Sequence, residues 1–141
     1  MRHMRPRIII DTNVLVAALK SRRGASFRLL SLVGTGRFDL ALSVPLFAQY
    51  EDVAARLDEV PAKARKDILD YLVKASELHE IFFLWRPILD DPGDDLVLEI
   101  AAQSNSDFIV TFNVRHFRQA HPFGIRPLRP LEFLKEIGDI P

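Results

Sequence analysis

The chain of 141 residues contains no cysteine. Disulfides and thiolate-bound zinc are thereby excluded, and a reducing compartment is the natural setting. It has no apolar run approaching the roughly 18 residues that a membrane-spanning helix requires, and no signal-peptide pattern opens it. A cytoplasmic protein without a membrane partner is expected. A charge excess is lacking too, since 19 Lys and Arg balance 19 Asp and Glu. Overall charge therefore gives no argument for nucleic acid as a partner.

What is present is ordinary in bulk and uneven in distribution. Hydrophobic residues make up 48% and charged residues 27%, the proportions of a globular domain, and a chain of this length can build one core. Residues 1–37 hold eight Lys or Arg against one acid, whereas residues 38–99 hold six against fourteen. Of the basic residues 14 are Arg, the side chain suited to bidentate phosphate contacts.

Apolar periodicity alternates between strand and helix. "RIII" (Arg7–Ile10) reads as a strand buried on both faces, and Thr12–Ala18 as a short helix. Ser21–Gly24 is a loop, and "ASFRLLSLVGTG" (Ala25–Gly36) is helical with a glycine stop. "FDLALS" (Phe38–Ser43) reads as a second strand, and Pro45 opens an amphipathic helix. A helix from Pro61 to about Ser76 precedes a third strand at Glu80–Trp85. The turn "DDPGDD" (Asp90–Asp95) leads into another helix, followed by strands at Asp107–Thr111 and Ile125–Leu128 and a closing helix, Leu131–Ile137. Such alternation predicts an α/β fold around a mostly parallel sheet, with ligands beyond the carboxyl ends of its strands.

Carboxylates fall where that rule places chemistry. Asp11 ends the first strand, and it can also cap the helix that follows. Asp90, Asp91, Asp94 and Asp95 put four acids into six residues, more than a turn and one cap require. Asp94 and Asp95 cannot both point the same way on a helix, and Glu99 lies one turn beyond Asp95. Thr111 and Asn113 leave the fourth strand on the side where Asp11 emerges if the two strands are neighbours, and His116, after them, reads as a surface or capping residue. Carboxylates without cysteine or clustered histidine suit a hard cation, Mg²⁺ or Mn²⁺. Such ions bind phosphate oxygens and activate water, so phosphodiester hydrolysis is the compatible chemistry. A phosphorelay receiver would need paired acids after the first strand and a lysine after Thr111, and neither is present.

"DTN" (Asp11–Asn13) after the isoleucine strand, followed in order by "SVPLFAQYEDV", "DDPGDD" and "DDLVLEIAAQSNSDFIVTFNVRHF", resembles the PIN-domain family. Within it the chain is similar to the VapC-type ribonucleases, toxin components of type II toxin–antitoxin pairs. The similarity runs from Ile8 to about Leu134. It implies one PIN-like domain over 1–141, with a core of about 7–134 and a three-layer fold in which helices flank a mostly parallel sheet of four or five strands. It also implies a Mg²⁺- or Mn²⁺-dependent nuclease, an RNA substrate, a cognate antitoxin and a homodimer.

The resemblance assigns site residues one by one. Asp11 matches the family's first acid, and Asp95, with Asp94 its close competitor, matches the acid opening the helix before the fourth strand. Two positions depart from the pattern: Gln49 stands where a Glu is usual, and Asn113 where an acid is common. Glu51 should face elsewhere around the same helix, and Asp52 is nearer in direction but one turn displaced. On one reading Asp11, Asp95 and Asp94, with Glu99 in support, hold a metal, while Gln49 positions water or ligand. Thr12 and Asn13 would then orient Asp11 and bound water, Thr111 and Asn113 would line the opposite side, and Arg22, Arg23, Arg115 and Arg118 would contact phosphate. On the other, the site is weakened and the domain serves as an RNA- or antitoxin-binding module.

Overall fold

A computed structural model describes residues 5–80 and 92–141. Its five strands are β1 (Arg7–Ile10), β2 (Asp39–Ser43), β3 (Glu77–His79), β4 (Phe108–Val110) and β5 (Arg126–Leu128). They form one sheet in the order β3-β2-β1-β4-β5, and every neighbouring pair is parallel. Helices α1 (Thr12–Lys20), α2 (Ala25–Ser31), α3 (Val44–Ala55), α4 (Ala62–Ala75), α5 (Pro92–Gln103) and α6 (Pro130–Glu136) flank it. The expected α/β architecture is thus the observed one.

β1 is the central strand because its three isoleucines have nowhere else to go. Ile8, Ile9 and Ile10 are all buried, which requires helices on both faces and strands on both edges. The helices supply their share through stripes at helical spacing. α3 buries Leu46, Tyr50 and Ala54, each four residues after the last, and α1 buries Val14, Leu15, Ala18 and Leu19. α6 turns Phe133 onto Phe38 and Phe108, with ring centroids 5.4 and 5.6 Å apart in edge-to-face contact.

Boundaries differ from expectation in three places. α2 stops at Ser31, and turns carry the chain through Gly34 and Gly36 at positive φ, a conformation that glycine adopts without a steric penalty. β3 begins at Glu77, directly after α4; the strand expected at Glu80–Trp85 lies, from residue 81 onward, outside the described residues. Between β4 and β5 the chain forms a 3-10 segment (Val114–Phe123) interrupted at Phe117, where no element was expected.

The strand order has a consequence for function. From β1 the chain moves to β2 and β3 on one side, then crosses back to β4 on the other. The reversal lies between β1 and β4, and the crevice outside their carboxyl ends is where open parallel sheets hold ligands.

Candidate functional site

Asp11 stands at that reversal. Its backbone N–H donates to the Val110 carbonyl at 2.9 Å, continuing the β1–β4 pairing one residue past the strand. Its side chain then turns to cap α1, accepting from Thr12 N–H on Oδ1 at 2.8 Å. Thr111, the residue after β4 and fully buried, donates its hydroxyl to Oδ2 at 2.7 Å. Asp11 is only 6% exposed, so these donors offset the desolvation of its charge. Capping and placement at the carboxyl end of β1 coexist.

Further bonds fix the surroundings. Asn13 Oδ1 accepts from the Phe112 N–H at 3.3 Å, and the Asn113 N–H donates to Thr111 Oγ1 at 3.0 Å. Beneath Asp11, the buried Tyr50 hydroxyl donates to the Ile10 carbonyl. Burial pushes the Tyr50 phenol well above its ordinary pKa, and the nearby charge of Asp11 pushes it the same way. Tyr50 was not foreseen as a site neighbour, although its position in the α3 stripe was a signal. Beside it, Gln49 Oε1 accepts from the Thr12 hydroxyl at 2.6 Å.

α5 carries the second set of acids. Asp94 is 8% exposed, and its Oδ2 lies 3.0 Å from Nδ1 of His116 in the segment after β4. His116 is exposed, as expected of a surface residue, and is also the partner of a candidate ligand. Asp95 is more exposed than Asp94. Glu99 is buried, and its Oε1 has no hydrogen-bond partner among the described residues. Burial, reinforced by the charge of Asp95, raises the Glu99 pKa above the usual carboxylate value. Asp90 and Asp91 lie outside the described residues.

The structure brings Asp11, Thr12, Gln49 and Thr111 into one bonded group, and Asp94 with His116 into another. The Asn113 side chain is exposed. Arg22 and Arg23 lie between α1 and α2, Arg115 and Arg118 in the 3-10 segment; all four are exposed. No hydrogen bond or ion pair ties them to the carboxylates among the described residues.

A family model described as PIN domain matches residues 7–115. The chain belongs to the PIN-domain family. The matched span runs from the start of β1 into the segment carrying His116, and so includes every carboxylate of the site. Comparison with curated proteins gives no significant match. Among solved structures, the fold is similar to one described as VapBC2 from Rickettsia felis bound to a DNA fragment from their promoter. The TM-score is 0.62 and the identity 15%, over 86% of this chain and 98% of that one. At that identity the likeness speaks for the fold of this PIN domain.

A divalent metal fits the donor chemistry within limits. No three acidic or histidine side chains converge as a metal-binding group among the described residues. Mg²⁺ is nevertheless commonly held by one or two carboxylates, with water and substrate oxygens completing its shell. Asp11 and Asp94 are oxygen donors of that kind, and the buried Glu99 Oε1 is a carboxylate oxygen left unmatched among the described residues.

Proposed function

We propose that this PIN domain is a metal-dependent endoribonuclease and the toxin of a type II toxin–antitoxin pair, working in the cytoplasm. The observation that supports this most directly is Asp11: a buried carboxylate at the sheet's switch point, held by Thr111 from the neighbouring strand and by the start of α1. Asp11 and Asp94 would hold Mg²⁺ or Mn²⁺. Asp94 is preferred to Asp95 because it is buried and bonded to the segment that follows β4. A bound ion of this kind supplies a Lewis acid for a phosphate oxygen and lowers the pKa of a bound water.

The protein's own residues have distinct tasks. Thr111 and the Thr12 N–H keep Asp11 from rotating, and His116 does the same for Asp94. Asn13 and Asn113 anchor the turn after β4, and Arg115 and Arg118 in the same segment offer charge to an RNA backbone, with Arg22 and Arg23 as more distant candidates in sequence. A cognate antitoxin and a second copy of the chain are the proposed protein partners; the similarity to the VapBC2 structure supports the former.

A second reading has its own support. Gln49 is neutral, and its oxygen is already bonded to Thr12, which suits a domain that binds RNA or antitoxin without cutting. Incubation with mixed RNA, with Mn²⁺ and after chelation, separates the two. Cleavage that requires Mn²⁺ is expected; binding without cleavage in any divalent metal would favour the second reading.

A further inference from the structure

We infer that Gln49 is a substrate-binding residue, whose amide nitrogen donates a hydrogen bond to a backbone phosphate oxygen of single-stranded RNA. This rests on the ribonuclease reading and goes beyond it by giving the neutral residue a task of its own. An amide has one atom that can ligate a hard cation, its oxygen. In Gln49 that oxygen accepts the Thr12 hydroxyl at 2.6 Å. The bond fixes which way the amide faces and leaves its Nε2, with two N–H donors, without a partner among the described residues.

The location gives those donors a use. Thr12 follows Asp11 directly, and Tyr50, next to Gln49, is bonded to the carbonyl of Ile10. The half-buried Gln49 amide is thereby tied to the side chain of the residue that follows Asp11. A site of carboxylates repels a phosphodiester, and each neutral donor at its edge relieves that repulsion. A Glu at this position would accept the same Thr12 hydroxyl but add a negative charge facing the RNA. The Gln thus shifts the site from holding metal more tightly towards holding RNA more tightly.

The test is fluorescence anisotropy with a labelled single-stranded RNA of mixed sequence in EDTA, so that no metal contributes. Wild type binds, and Gln49→Glu binds more than roughly tenfold more weakly, since it loses one hydrogen bond to a charged group and adds a repelling charge. Gln49→Ala loses less, because it adds no repulsion, and Thr12→Val also weakens binding because the amide is no longer oriented. Equal or tighter binding by Gln49→Glu would overturn the inference, as would absence of metal-free binding by wild type. A Gln49→Glu protein that gains Mn²⁺-dependent cleavage with unchanged metal-free binding would assign the position to the metal instead. Each of these failures leaves Mn²⁺-dependent cleavage by wild type intact as separate support for the nuclease.

Discussion

A carboxylate is costly to bury, and Asp11 and Glu99 meet that cost differently. Asp11 has the Thr12 N–H and the Thr111 hydroxyl, both charge-assisted donors. Replacing Thr111 by Val preserves shape but removes one of them. The expected result is a loss of about 1–3 kcal/mol in urea unfolding and a fall in RNA cleavage of roughly 10–100-fold, as for other residues that orient a metal ligand. Glu99 has an oxygen with no donor among the described residues, and its pKa is raised by burial and by the Asp95 charge. Its ionised form therefore lowers stability at neutral pH, whereas below the ordinary carboxylate range it is protonated in both folded and unfolded chains. Glu99→Gln should raise the Tm at pH 7, and the gain should disappear as the pH falls below 4. A gain that persists in acid would contradict this.

The elements were legible in proportion to how local their causes are. The isoleucine run of β1 and the stripe of α3 announce buried faces without reference to the rest of the chain. β3 does not, because "ELH" is a three-residue edge strand with a burial pattern close to that of a loop. The 3-10 segment after β4 spaces Val114, Phe117 and Ala120 three residues apart, the 3-10 period rather than the 3.6 of an α-helix. The site divides in the same way. Asp11 could be placed from the end of one strand, but the Thr12–Gln49 bond spans 37 residues and the Asp94–His116 bond 22, and no periodicity reports such pairs. α6 depends on distant partners too, since Phe133 packs on rings from Phe38 and β4. Phe133→Ala should cost about 3–5 kcal/mol of unfolding free energy, measured in urea, while leaving the Asp11–Thr111 bond in place.

At the scale of the whole molecule, the chain is closed by contacts between its ends and its middle. Asp139 accepts from Arg28 at 2.8 Å and lies 3.6 Å from Arg37, which ties the carboxyl terminus to α2 and to the turn before β2. The Arg28 hydrogen bond and the charges of both arginines hold the Asp139 carboxyl below its usual pKa, so this tie persists above the ordinary Asp range and weakens as the pH falls through the depressed value. At the amino ends of the strands, Arg7 joins β1 to β3 through Glu77 at 2.6 Å. The strand order is what sets Asp11 and Thr111 side by side at the switch point. The central proposal is that Asp11 there serves metal-dependent RNA cleavage. Its most direct test is the Mn²⁺-dependent cleavage rate of Asp11→Asn, with folding matched by circular dichroism. A fall of more than roughly a hundredfold relative to wild type is predicted, beyond the effect of losing an orienting partner alone. Equal rates for the two proteins would contradict it.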